Sequence, residues 1–199
     1  MAELAEPGPG GVDASLAGGR DLTSSDVAVV GSLGRLRVVA VVRIAFGLVW
    51  VVDAILKWLP AFAHDSFIGS LQGARLGQPA AVQGWIDFWL DILQTNPPLF
   101  AHLLAITESL LALCLLAGAF TNVVCVLGAL LSLAIWSTAE GFGGPYVAGG
   151  TDIGTSIIYV LVFAMLAACA AGGAWGADRW LRPRLGRAGW LCSPPARRG

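Results

Sequence analysis

Three ionisable side chains stand inside one apolar run of this 199-residue chain: residues 38–59 read VVAVVRIAFGLVWVVDAILKWL and carry Arg43, Asp53 and Lys57. In hydrocarbon a centrally placed Arg, Lys or Asp costs roughly 2.5–3.5 kcal/mol, so three of them demand partners, a polar cavity or snorkelling. On a helix advancing about 100° per residue, Arg43 and Lys57 fall about 40° apart and Asp53 about 80° from Arg43, which places all three on one stripe. Asp53 precedes Lys57 by four residues, about 6 Å along the axis, in register for a salt bridge within the helix. Glu108 falls near the middle of the second apolar run. An unpaired carboxylate there takes up a proton or finds a cation on another helix.

Asp53, Lys57 and Glu108, with Glu140, Asp152 and His102, outline a polar pocket opening outward, with Trp50, Trp58, Trp136 and Tyr146 at similar depth. Such a pocket could hold a small anion on its lysine, relay protons through a buried acid, or grip a quinone headgroup between aromatic rings. The catalytic candidates are Lys57 as anion holder or neutraliser, Glu108 as proton exchanger and Asp53 as the group that orients Lys57. Arg43, Asp152 and Trp50 are the substrate-binding candidates. The competing account is that the charges neutralise one another and hold the helices in register. Arg43, near the inner side, could equally be an anchor that snorkels.

Other chemistries lack their residues. His64 and His102 are the only histidines, so one bundle cannot offer two intramembrane haem ligands, and His102 is turned about 120° from Glu108. No metal-ligand spacing, catalytic triad or nucleophile elbow is present. The glycine-rich stretch 139–154 lacks the GxxxxGK[ST] pattern of a phosphate loop. The net charge of −1 says nothing about nucleic acid, but no basic motif with interleaved aromatics appears, so nucleic acid is not an expected partner. Neither a metal nor a covalently bound cofactor is expected.

The elements that must position these side chains are helices in a bilayer. The chain is 56% hydrophobic and 13% charged, with a mean hydropathy of +0.74, which is too apolar for an ordinary soluble domain. Residues 38–59, 99–118, 123–137 and 153–171 form four continuous apolar runs, the third needing flanking residues to span. The expected fold is all-α: a four-transmembrane-helix bundle, multi-pass in the cell membrane. Val82, Trp85, Ile86, Trp89, Ile92 and Leu93 recur at helical spacing, predicting an amphipathic helix on the outer face that anchors there or lids the bundle. Residues 1–35 read as a disordered cytoplasmic tail, 36–175 as the membrane domain and 176–199 as a basic cytoplasmic tail. Arg35, Arg37, Arg179, Arg182, Arg184 and Arg187 flank the outer ends of the first and last runs, which puts both termini in the cytoplasm. Thr151 or Asp152 is expected to cap the last helix, with Gly150 and Gly154 forming a close-packing step on it. Cys114, Cys125, Cys169 and Cys192 show no CxxC pair and read as small thiols packed between helices.

The pattern Arg43-Ile-x-x-Gly47, Trp50, Asp53-Ala54 and Lys57 resembles the DoxX and DoxD family of small four-helix membrane proteins, to which the small subunit of thiosulfate:quinone oxidoreductase belongs. The likeness covers about residues 37–172, including the long first outer loop, the tight inner turn and the GGTDIG lead-in to the last helix at 149–154. Asp53 is an additional charge relative to that pattern. The resemblance implies a membrane subunit near sulfur or thiol redox chemistry, passing electrons to quinone or docking a soluble or membrane redox partner. Two other functions fit the same residues: a non-enzymatic scaffold that recruits a redox or envelope partner, and a small proton-coupled carrier, which would need a homo-oligomer.

Overall fold

The computed structural model describes residues 24–148, 152–173 and 175–194, with side chains from Gly34 onward, and among them every regular element is helical. The first helix, α1 (Ser24–Lys57), starts eleven residues before the expected end of the N-terminal tail. Residues 24–35 contain no proline, and Val27, Ala28, Val29, Val30 and Leu33 carry the apolar character upstream, so the helix is not stopped there. Residues 1–23 lie outside the described part.

After α1 a π turn (Phe62–Ser66) leads into α2 (Phe67–Arg75), α3 (Ala80–Leu93) and α4 (Pro97–Ala117). Asn96 caps α4 by accepting the Leu99 N–H, Pro97 sits where no N–H is needed, and Gly118 ends the helix at φ 61°. Helix α4 runs antiparallel to α1, and the two meet tightly at Gly47, where a Cβ would lie 3.0 Å from Leu116 Cδ2 and 3.2 Å from Leu115 Cβ. The next two helices, α5 (Thr121–Ser137) and α6 (Ser156–Ala168), pair in the same way. Their close approach is at Gly128, where any Cβ would collide with the Phe163 ring.

The two tight pairs are joined through large side chains. Phe46 lies 4.9 Å from Phe163 and 5.3 Å from Tyr159, centroid to centroid, and Trp50 lies 5.6 Å from Phe163. With Leu111, Leu115, Val124 and Leu166 these rings form the main core. Aromatic rings hold the pairs apart where glycines draw each pair together, and that difference leaves room between the pairs.

The expected amphipathic helix is α3, but most of its apolar side turns inward. Ile86 and Leu90 pack on Leu71 of α2, with Trp89 and Leu93 beside them, while Trp85 and Phe88 stay exposed. Arg75 donates two N–H bonds to the Asp87 carboxylate, tying α2 to α3. The side-chain bond raises the Arg75 pKa, the Asp87 charge adding to it. The α2–α3 hairpin lies across the end of the bundle where α1 finishes.

The other end is closed by the segment expected to be a basic tail. A short helix α7 (Asp178–Arg184) and a 3₁₀ turn (Gly186–Leu191) fold back on the α4–α5 connection. Asp178 is fully buried, and its Oδ2 accepts the Thr121 N–H at 3.1 Å and the Ser193 N–H at 2.8 Å, capping α5 from 57 residues away. Asn122 donates to the Trp190 and Cys192 carbonyls, and the Ala177 N–H to that of Ala117. Cys192 is buried here, and burial, with Asp178 second, pushes its thiol up to about 11. Cys125 is also buried, Cys114 partly so, but Cys169 is exposed rather than packed between helices, and all four are free thiols.

By length and composition, residues 34–57 of α1 and all of α4 could cross a membrane, with mean hydropathies of 2.3 and 2.1. Helices α5 and α6 are apolar but shorter, at 17 and 13 residues. Helix α6 begins three residues later than the last apolar run, so Gly154, at φ 88°, belongs to the preceding loop and forms no step on the helix. Gly150 lies outside the described residues.

Candidate functional site

The last turn of α1 and the middle of α4 bring Lys57, Asp53 and Glu108 together. Lys57 Nζ lies 3.0 Å from Asp53 Oδ1 and 3.4 Å from Glu108 Oε2. Glu108 is completely buried, and neither of its oxygens has an aligned hydrogen bond among the described residues. Lys57 therefore answers it by charge, as a bridge between the two carboxylates. The ammonium also lies 5.2 Å from the centre of the Phe62 ring. Antiparallel packing of α1 on α4 is what sets this meeting, because it pairs residue 57 with residue 108 while it pairs residue 43 with residue 115.

Beside the charge cluster, a cavity of about 680 Å³ fills the room between the two helix pairs, under the α2–α3 lid. Trp50, Asp53 and Lys57 form its α1 wall, Thr107 its α4 wall and Tyr159 its α6 wall; Trp89 and Leu71 come from the lid. Most of the surface is aliphatic or aromatic, with a few polar groups converging on it, as small-molecule sites require. The Trp50 indole is 1% exposed, and its N–H meets no acceptor among the described residues. A buried donor left unmade costs roughly 1–3 kcal/mol.

Glu140 borders the cavity from the α5–α6 loop. Its carboxylate accepts the Ser156 N–H at 3.1 Å and the Ser156 hydroxyl at 2.8 Å, so it caps α6 across the loop. That replaces the cap expected from Asp152 or Thr151. Asp152 is exposed, and its Oδ1 accepts the N–H groups of Ile153 at 2.7 Å and Gly154 at 3.2 Å; it does not line the cavity. Thr151 lies outside the described residues. Gly154 fits closely under the Glu140 carboxylate and the Trp136 ring, where a Cβ would meet both.

Arg43 also stands apart from the site. It is fully buried at the far end of the bundle, 14 residues or about 21 Å along α1 from Lys57. Its guanidinium donates to the Leu115 carbonyl, to the Leu116 carbonyl at 3.3 Å and to the Trp175 carbonyl at 3.1 Å. Leu115 and Leu116 lie in the last turn of α4, where the helix dipole favours a cation, and Trp175 lies in the turn that leads into α7. Arg43 is therefore a clamp on the α4 terminus rather than a substrate ligand or a snorkelling anchor. A shared stripe did not mean a shared site, because the stripe runs the length of the helix.

His102 is exposed, bonded to the Pro98 carbonyl and edge-on to Trp58. Trp58 donates to Ser109, and Trp136 donates to the Ile153 carbonyl. Tyr146 is exposed. Of the predicted substrate-binding residues, Trp50 alone reaches the cavity. Tyr159 was not predicted; its signal was a ring with a hydroxyl three residues after Ser156 on an otherwise apolar helix. Asp178 was missed because its partners are Thr121 and Ser193, which nothing local relates to it. Among the described residues no group of three His, Cys, Asp or Glu side chains could hold a metal. Comparison with family models, curated proteins and solved structures finds no match to this chain.

Proposed function

We propose that the chain is a four-span, multi-pass membrane subunit, with both termini in the cytoplasm, that binds a quinone headgroup in the lidded cavity as part of a sulfur- or thiol-linked redox system. The single observation that carries this reading is the unpartnered Trp50 N–H, on the same face of α1 as Lys57 and walling the same apolar cavity. Two donors beside aromatic rings suit a flat ligand with carbonyl oxygens. The quinone supplies a two-electron, two-proton acceptor. Trp50 and Lys57 hold its oxygens, Tyr159 offers a ring face, and the α2–α3 lid keeps water out. Glu108, reached through Lys57, is the carboxylate through which a proton is exchanged, and Asp53 keeps Lys57 turned toward the cavity. The resemblance to the DoxX and DoxD family makes thiosulfate or a thiol the electron source, with a partner subunit where this chain alone does not oxidise it.

The span assignment draws on exposed Val52, Ile55, Leu110, Leu130 and Leu161, which would face lipid. Helices α5 and α6, at about 25 and 20 Å, need their flanking residues to cross about 30 Å of hydrocarbon.

The test is binding of a short-chain quinone to the protein in nanodiscs, followed by thiosulfate-dependent reduction. Trp50→Phe keeps the ring and removes the donor, and should weaken binding about tenfold. Equal affinity in wild type and variant would refute the proposed geometry. A second reading, a scaffold without chemistry, is favoured by the closure of Lys57 on both carboxylates. It predicts no quinone binding by the wild type.

A further inference from the structure

At the end of the bundle opposite the lidded cavity, α7 and the 3₁₀ turn enclose an open hollow of about 600 Å³ bordered by Asp178, Arg179, Arg182, Gly189 and Trp190. The segment is held in place by the Asp178 cap on α5 and by Asn122, which grips the Trp190 and Cys192 carbonyls. Arg179 and Arg182 are three residues apart on a helix, so their side chains leave neighbouring points of one face. One terminal nitrogen of Arg182, Nη1, is buried and meets no acceptor among the described residues. Arg179 stacks its guanidinium 3.8 Å from the centre of the Trp180 ring, which holds the fork in position.

Trp190 borders the hollow, and two further exposed indoles lie beyond it. Trp175, Trp180 and Trp190 are 56, 57 and 68% exposed at the same end of the molecule. Indoles concentrate at the level of lipid headgroups, and guanidinium forks match phosphate oxygens. Among the described residues Asp178 is the one carboxylate that borders the hollow; its Oδ2 is occupied by two backbone N–H groups and its Oδ1 is buried without a partner. Arg184 and Arg187 add positive charge nearby.

We propose that this hollow binds the phosphate of an anionic lipid headgroup, with Arg179 and Arg182 as its ligands, Trp190 at its rim and Trp180 stacked on Arg179. The inference rests on the membrane part of the proposed function and is independent of quinone. In the folded protein the bound lipid would fix the depth of the α4–α5 turn against the leaflet.

Native mass spectrometry of the full chain in mild detergent, with phosphatidylglycerol and phosphatidylcholine supplied equally, tests it. Wild type should retain phosphatidylglycerol about tenfold better. Arg179→Gln with Arg182→Gln should abolish that preference, whereas Arg184→Gln with Arg187→Gln should leave most of it. Arg182→Lys, which keeps the charge and loses the fork, should fall between and guards against a folding defect in the double variant. Absence of preference in the wild type, equal losses in both double variants, or displacement of the lipid by inorganic phosphate would each overturn the proposal. Lys57→Met and Trp50→Phe should keep the lipid preference, so failure of the quinone reading leaves this result untouched. A wild type released from membranes by alkaline carbonate would remove the membrane premise of both.

Discussion

At the scale of single residues, the behaviour of Lys57 depends on its serving two carboxylates at once. Removing one partner of a buried ion pair leaves an uncompensated charge and typically costs about 3–5 kcal/mol, whereas neutralising the buried member costs far less. Lys57→Met should therefore lower the melting temperature more than Glu108→Gln does, and the double variant should recover much of the loss. Thermal melts of the three variants check this, and equal destabilisation by both single changes would contradict a charge-only link. Thiol reactivity is set by burial in the same way. Cys192, whose thiol is pushed up to about 11, should resist alkylation at neutral pH, while exposed Cys169 should react first where reagent reaches it. Mass spectrometry after brief alkylation decides the order.

At the scale of elements, the α2–α3 hairpin stands on a core of its own, small and separate from that of the bundle. Ile86 is fully buried in it, against Leu71 and Leu90. Ile86→Ala should cost about 2–5 kcal/mol of hairpin stability, because a buried branched side chain leaves a cavity behind. Faster hydrogen exchange in residues 67–93, with α4 and α5 unchanged, is the expected signature. A uniform change over the chain would mean that lid and bundle unfold as one. At the other end, Asp178→Ala removes the cap of α5 and the anchor of Ser193. A cap alone is worth about 0.5–2 kcal/mol. Loss of the cap should also release the segment that buries Cys192, so alkylation of Cys192 should rise in the same variant.

At the scale of the whole molecule, the decisive contrast is between glycine contacts within pairs and aromatic contacts between them. Gly128→Leu should separate α5 from α6 and displace Phe163, which touches both Phe46 and Trp50. The expected outcome is loss of quinone binding together with a lower melting temperature, even though residue 128 does not border the cavity. Retained affinity would show that the space between the pairs does not depend on the aromatic layer.

Helix type and order were legible in the residues because continuous apolar runs are local signals, read without knowledge of the rest of the chain. The Asp53–Lys57 pair was legible for the same reason, being a matter of one helical turn. The meeting of Lys57 with Glu108, the separation of Arg43 from both, the cap that Glu140 places on α6 and the anchor made by Asp178 were decided only by tertiary structure. The contacts involved join residues distant in sequence, from 15 residues for Asp178 and Ser193 to 132 for Arg43 and Trp175. Helical periodicity says which face a charge leaves by, but the register and direction of the neighbouring helix determine what it meets there.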